Sequence, residues 1–222
     1  MEKSNDSNNL AQIGIALHDY HEKFGSFPSG AIPNPDLPPT KRLSWIVELL
    51  PLIEEEKIYR SIDREKGWGA EGNAPAVGQT ISILTLSNDK AAITHYVGMA
   101  GIGLDAPELL ISDPRAGVFG YDRKTRLADI KDGAAYTMMV IQTAHENGPW
   151  AAGGPATVRA VDTNDRPYIG RNRQFGGTFR GGVNAVFADA SVRWIKDSID
   201  PEVFEALATI AGGEKVEIAI DY

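Results

Sequence analysis

Residues 7–25, SNNLAQIGIALHDYHEKFG, contain the clearest structural pattern of the chain. Apolar side chains recur there at steps of three and four, the spacing that places them on one face of an α-helix. They are Leu10, Ile13, Leu17, Tyr20 and Phe24. Asp6 or Ser7 is expected to cap this helix and Gly25 to end it. The apolar stripe begins within the first turn and does not weaken towards the N-terminus, so we expect the helix to continue upstream in the natural protein.

The composition narrows the classes of function. The 222 residues are 42% hydrophobic and 23% charged, which is typical of a globular protein. Twenty-two Lys and Arg against 30 Asp and Glu give a net charge of −8, which disfavours a nucleic-acid partner. The absence of cysteine excludes thiolate metal sites, cysteine nucleophiles and disulfides. No apolar run reaches the roughly 18–20 residues that a membrane span needs.

Two further helices are predicted in the first third of the chain. They follow a proline-rich connection over residues 28–39, which excludes regular structure there. Ser44 is expected to cap a helix over residues 45–50 that Pro51 ends. Residues 54–66 predict a third helix, with charged side chains facing solvent.

After residue 80 the pattern changes to that of β-strands. Short strands are predicted at residues 81–84, 95–99, 117–121 and 136–141. Residues 184–188 and 191–196 form a predicted hairpin joined by Asp189-Ala190.

The chain is expected to close with a helix and a strand. Asp200 caps the helix, Pro201 is its first residue, and Gly212-Gly213 ends it. Residues 215–222 alternate as a final strand. Helices precede paired strands without βαβ alternation, so the predicted class is α+β: an N-terminal helix packed on an antiparallel sheet, with long ordered loops and a C-terminal helix plus strand.

The histidines offer few chemical possibilities. His18 and His21 lie three residues apart and could share a metal, but no His-Glu-x-x-His motif accompanies them, which favours packed or surface histidines. His145-Glu146 is a conceivable catalytic pair, although a solvated loop is the favoured interpretation. Gly98–Gly103 superficially resembles a dinucleotide loop without its βαβ setting. We therefore predict no catalytic residue, no metal site and no cofactor.

The candidate binding residues concentrate in the Gly-rich excursion at residues 148–177, because loops of this length are often functional. Trp150 is either a ligand or partner anchor or a core residue, and the sequence leaves both open. His145 and Asp189 flank the excursion and are included as candidates. The remaining members of the predicted pocket wall are Tyr168, Arg166, Arg171 and Arg173.

Acidic turns at residues 129–133 and 162–165 carry oxygen ligands that suit Ca²⁺. Neither has the twelve-residue spacing with a closing Glu, and ordinary turns are the favoured interpretation.

Several segments, taken in order, resemble a large bacterial family whose members carry a prepilin-type cleavage and methylation leader. These segments are Asn8–His21 with Gly25–Pro28, Ser44–Pro51, Thr94–Gly98, Asp129–Gly133, Gly148–Arg159 and Gln174–Arg193. The soluble part of the family is catalogued as a domain of unknown function, and one label for it is solute-binding. The resemblance covers nearly the whole chain.

The chain departs from the C-terminal signature of that family, which is His, nine residues, then Asp-Gly. Here Phe179 stands at the His, Arg180 at the Pro that usually follows it, and Asp189-Ala190 at the Asp-Gly. A role that depends on that His does not carry over. If Ala190 keeps a positive φ, a glycine there should stabilise the turn by roughly 1 kcal/mol.

The resemblance implies a pseudopilin-like protein with an inner-membrane N-terminal helix and a single periplasmic domain over residues 1–222. Residues 1–27 would be its helical stem and residues 28–222 its head. The leading hypothesis is a non-enzymatic domain that assembles with other pilin-like subunits or envelope proteins. The alternative is a periplasmic module that binds a small molecule or a glycan, and a hydrolase is the third hypothesis.

Overall fold

The computed structural model describes residues 2–86 and 91–213. Its α-helices are α1 (Glu2–Phe24), α2 (Trp45–Leu49), α3 (Glu56–Ser61), α4 (Ala74–Val77) and α5 (Pro201–Leu207). Its strands are β1 (Tyr96–Ile102), β2 (Met138–Gln142), β3 (Val158–Val161), β4 (Gly182–Phe187) and β5 (Val192–Lys196). They form one sheet in the order β3-β1-β2-β4-β5, in which only the β1–β3 pair is parallel. The predicted α+β class is confirmed.

The stripe of α1 lies against the sheet as the sequence predicts. Leu10, Ile13 and Leu17 are at most 1% exposed. The prediction for Phe24 is wrong: its side chain is 55% exposed, and its ring centre lies 4.4 Å from that of Tyr20 with the two rings tilted by 42°. Phe24 lies in the last turn, and the helix ends at Gly25, whose φ is +78°.

The predicted caps of α1 are also wrong, because the helix already includes residues 2–5. Asp6 and Ser7 lie inside it. Asp6 is fully buried, and its carboxylate accepts hydrogen bonds from Tyr96 and Asn184. A short polar side chain at this position therefore connects the helix to the sheet.

The helices α2 and α3 match the sequence in part. Ser44 caps α2 as predicted, since its Oγ accepts a hydrogen bond from the Ile46 N–H at 3.3 Å. The helix predicted over residues 54–66 is reduced to α3. Glu54, with φ of +65°, precedes α3, and Ile62 is extended and follows it.

Two predicted strands are wrong. Residues 82–84 form a 3₁₀ turn that buries Leu84, because a short apolar run fits a turn as well as a strand. Residues 117–121 run beside β1 as irregular chain. The carbonyls of Gly117 and Phe119 accept hydrogen bonds from the buried Arg123 guanidinium at 3.0 and 2.6 Å, so these groups are not available for a strand ladder.

The C-terminal hairpin is confirmed as β4 and β5, with Asp189-Ala190 in its turn. Asp200 caps α5 through its Oδ1, which accepts from the Glu202 N–H at 2.8 Å. The helix is shorter than predicted and ends before Gly212. The predicted strand over residues 215–222 lies outside the described residues.

The excursion at residues 148–177 contains one strand that the sequence did not predict. This strand, β3, forms the parallel edge beside β1.

Successive residues of β1 contribute to two hydrophobic clusters, one on each face of the sheet. Tyr96 and Ala100 belong to the cluster that includes the stripe of α1. Val97 and Met99 belong to the other, together with Phe204 of α5. The sheet is thus covered on both faces. Within the described ranges, no helix combines the length and apolar character that a bilayer crossing requires.

Candidate functional site

An open groove of about 680 Å³ lies beside the β4–β5 hairpin, at the end opposite the Asp189-Ala190 turn. Asp197 follows β5 and donates its N–H to the Gly181 carbonyl at 3.1 Å, which closes this end of the hairpin. We call this feature the hairpin groove. Its lining residues are Gly170, Arg171, Gly177, Thr178, Phe179, Arg180, Gly181 and Asp197.

The wall that carries Arg171 is held in place by side chains inside the excursion. Gln174 receives the Asp162 N–H at 2.7 Å and donates to the carbonyls of Asp162 and Asp165 at 2.8 and 3.0 Å. Arg159 of β3 donates to the carbonyls of Gln174 and His145 at 2.9 and 3.0 Å. Burial lowers the pKa of Arg159. These bonds order a loop that contains little regular structure.

A close contact between two glycine-containing segments brings both walls together. Gly177 has a φ of +92°, and a Cβ there would lie 3.0 Å from the Gly170 carbonyl and 3.6 Å from the Arg171 Cα. Glycine is therefore favoured by the backbone conformation, and a Cβ would be tight against the Gly170 carbonyl. Arg171 consequently lies next to Gly177, and the segment that begins at Gly177 leads to Arg180.

The two arginines of the hairpin groove differ from the other ten in the chain. Each of those ten has an acidic, carbonyl, hydroxyl or aromatic partner. Within residues 2–86 and 91–213, no partner is found for the guanidinium of Arg171 or of Arg180. Arg171 and Arg180 are both exposed to solvent. Two arginines without a hydrogen-bond or ion-pair partner among the described residues therefore line one groove of an acidic protein.

Below Thr178 lies a buried amide. Gln142 of β2 is fully buried, and its Nε2 donates to the Thr178 Oγ1 at 2.7 Å. Since the Thr178 oxygen accepts this bond, its own hydroxyl proton is available to a molecule in the groove. The Gln142 Oε1 is buried and has no hydrogen-bond partner among the described residues.

Phe179 lies in the wall of the groove. Its ring is 6.3 Å from that of Trp194 on β5. Lys3 of α1 places its Nζ 3.2 Å from the centre of the Trp194 ring. Phe179 and Trp194 thus form an aromatic contact at this wall of the groove.

Most of the predicted pocket wall lies elsewhere. Trp150 is fully buried and donates its Nε1–H to the Gln79 carbonyl at 2.8 Å, so the structure has it as a core residue. Tyr168 is 2% exposed; its hydroxyl donates to Glu205 and accepts from the Arg166 Nε at 2.9 Å. Burial and the Glu205 contact raise the pKa of Tyr168.

Among the predicted arginines, only Arg171 lines the hairpin groove. Arg166 pairs with Glu205 at 2.5 Å, and Arg173 pairs with Asp165 at 3.0 Å. Both arginines therefore form ion pairs with acidic residues of the same chain. Sequence reasoning missed Arg180, Thr178 and the buried Gln142, because no local motif marks them.

His145 and Asp189 do not line the groove. The His145 side chain is 40% exposed, and its Nε2 lies 3.7 Å from the Glu146 Oε1. Asp189 closes the hairpin turn by accepting from the Ser191 N–H and from the Arg193 Nη2, both at 3.0 Å. The predicted site residues are therefore spread over separate parts of the molecule.

The other sequence candidates have structural contacts. His18 donates its Nε2–H to the Ala188 carbonyl at 3.0 Å, whereas the Nε2 of His21 accepts from the Leu127 N–H at 3.1 Å. Asp132 accepts from the N–H groups of Gly212 and Gly213 at 2.9 and 3.1 Å. Over the part of the chain that the structure describes, no group of three His, Asp or Glu side chains is placed to hold a metal ion.

The dinucleotide-like Gly98–Gly103 stretch lies mostly within β1. A Cβ at Gly98 would approach the Phe119 ring to 2.6 Å, so this glycine allows close packing against an aromatic ring.

The fold is that of an α+β protein with a long N-terminal helix on a mostly antiparallel sheet. The chain belongs to the family described as "Protein of unknown function (DUF1559)", labelled SBP_bac_10, whose model matches residues 5–164. This family is the one with prepilin-type leaders, so the resemblance seen in the sequence is confirmed. The positions Phe179 and Ala190 lie beyond the matched residues. No curated protein and no solved structure matches the chain.

Proposed function

We propose that this protein is a non-catalytic, extracytoplasmic domain of a pilin-like or secretion-associated protein that acts through contacts with other subunits or envelope proteins. An inner-membrane helix upstream of α1 would anchor it. The family supports this proposal, since its members carry prepilin-type leaders.

The observation that carries the proposal is the way α1 is fixed to the head. The helix spans Glu2–Phe24, and its buried face reaches from Asp6 to Tyr20. Asp6 ties its second turn to two strands. A helix packed on the sheet over this length can hold the head in a fixed orientation relative to a membrane anchor.

The opposite face of α1 is left exposed at helical spacing. Its members are Asn8, Gln12, Ile15, Asp19 and Glu22. Ile15 is 58% exposed and is the large apolar side chain of this face. We expect this exposed stripe to contact the neighbouring subunit.

Single-cysteine cross-linking tests this contact, because the 222 residues contain no cysteine. The full-length gene carrying Ile15→Cys is expressed from its own locus, and intact cells are treated with a short bis-maleimide. We expect cross-linked species in the inner-membrane fraction. Arg60→Cys is the matched control, since Arg60 is on α3 and its side chain is 76% exposed.

Equal cross-linking at both positions, or none at residue 15, would contradict assembly through α1. Recovery of the full-length protein in the cytosolic fraction would contradict the proposed location.

A ligand-binding module is the second candidate. It is favoured by the hairpin groove, in which Arg171 and Arg180 have no partner within the described chain. The two candidates are compatible, because the groove lies beside the β4–β5 hairpin and not on the exposed stripe of α1.

A further inference from the structure

We propose that the hairpin groove binds an acidic sugar, with its carboxylate held by Arg171 and Arg180. This proposal rests on the second candidate function, and it names the chemistry of the ligand. It is independent of assembly through α1.

The charge distribution indicates an anionic ligand. The chain has a net charge of −8, and its other arginines are used in internal contacts. Arg171 and Arg180 are exceptions that share one groove. A guanidinium can donate two parallel hydrogen bonds to a carboxylate, which gives directional as well as electrostatic recognition.

A neutral donor stands beside the two cations. The Thr178 hydroxyl is oriented by the Gln142 amide from below, so that its proton can be donated into the groove. Preorganised donors of this kind cost little on binding, because Gln142 is already fixed by burial.

Asp197 and Phe179 further restrict the chemical class of the proposed ligand. The Asp197 carboxylate forms no ion pair with a described residue, and it can accept hydrogen bonds from ligand hydroxyls. The Phe179 ring offers an apolar surface in the same wall. Cations for a carboxylate, an acceptor for hydroxyls and an aromatic face together match a uronic acid better than a simple inorganic anion. The groove's volume of about 680 Å³ accommodates one or more sugar rings.

Calorimetric titration of the 222-residue protein with sodium glucuronate, glucose, sodium sulfate and oligogalacturonate tests the proposal. We expect a Kd of about 1 mM or tighter for glucuronate, with glucose and sulfate at least about tenfold weaker. Tighter binding of oligogalacturonate would identify an acidic polysaccharide as the source, and equal binding per site would identify a free uronate.

Three variants locate the site. Arg171→Gln and Arg180→Gln should each weaken glucuronate binding by about tenfold or more, because each removes a charge-assisted hydrogen bond. Arg60→Gln is the matched control: it removes an exposed arginine outside the groove and should leave the affinity unchanged. Circular dichroism and melting temperature establish that the variants are folded.

The proposal is overturned if glucuronate does not bind, if both groove variants bind like the parent, or if sulfate binds as tightly as glucuronate. None of these results would affect Ile15 cross-linking. Conversely, a failed cross-linking experiment would leave the glucuronate titration unchanged, so the two proposals fail separately.

Discussion

The Tyr96 hydroxyl donates a hydrogen bond to the Asp6 Oδ1 over 2.9 Å, and neither residue is exposed to solvent. Asn184 donates to the other carboxylate oxygen at 2.7 Å. Burial, together with the Asp6 charge, raises the pKa of Tyr96, so the phenol remains a donor. These hydrogen bonds join α1 to β1 and β4, and they hold a carboxyl group in the buried space between the helix and the sheet.

Replacing Asp6 should change how stability depends on pH. Burial raises the pKa of Asp6, although hydrogen bonds from Asn184 and Tyr96 lower it in part. The folded protein therefore holds this proton more tightly than the unfolded chain does. The resulting stability is fully present below the unfolded pKa of about 3.9 and is lost as pH rises through the folded pKa.

We expect the melting temperature of Asp6→Asn, relative to the parent, to increase between about pH 4 and pH 7, because the amide does not titrate. Thermal unfolding at several pH values measures this difference. Asp19→Asn, on the exposed face of the same helix, is the matched control for removing one carboxylate from α1. A melting-temperature difference for Asp6→Asn that does not change with pH would contradict the role of burial.

His21 should contribute in the opposite direction. Burial, with a smaller effect of the His18 charge, lowers the pKa of His21, and its Nε2 accepts the Leu127 N–H only when unprotonated. The stability from this group is present above the unfolded pKa of about 6.5 and is lost as pH falls through the folded pKa. His21→Gln retains an acceptor and should reduce the loss of stability between about pH 7 and pH 5.

Chemical denaturation at these two pH values checks the His21 prediction. His145→Gln is the comparison, since His145 lies in an exposed loop. An unchanged pH dependence in His21→Gln would show that protonation at this position does not oppose folding.

A glycine should be preferred at the hairpin turn. Ala190 has a φ of +64°, which confirms the positive value on which the sequence-based expectation depends. Ala190→Gly is expected to stabilise the protein by about 1 kcal/mol, because a Cβ is strained in this conformation. Ala11→Gly, within α1, should have the opposite sign. The two melting temperatures are compared, and a destabilised Ala190→Gly would refute strain at the turn.

The contact between Gly14 and Val186 should not tolerate an added methyl group. A Cβ at residue 14 would lie 2.7 Å from the Val186 Cγ2. Gly14→Ala is expected to destabilise by about 1–2 kcal/mol despite the better helix propensity of alanine, because α1 must move away from β4.

A double-mutant cycle isolates this contact. Val186→Ala removes the opposing methyl groups, so Gly14→Ala should cost less in that background than in the parent. Strict additivity of the two free energies of unfolding would mean that the helix and the sheet do not meet at this point.

The parts of the fold that were predicted correctly are those with a local signal. The stripe of α1, the Ser44 and Asp200 caps and the Asp189-Ala190 hairpin depend on residues within a few positions of one another. The strand expected at residues 117–121 fails for a non-local reason: Arg123 binds the carbonyls of Gly117 and Phe119. Similarly, β3 pairs with a strand that lies far away in sequence.

The sequence by itself determined the α+β class and the helix whose apolar stripe covers the sheet. Only the tertiary structure decided which polar residues meet. It buried Trp150 and Tyr168, paired Arg166 and Arg173 with acids, and placed Arg171 and Arg180 in the lining of one groove. The physical reason is that periodicity reports which face of an element is buried, whereas the partner of a charge depends on contacts between segments that are distant in sequence.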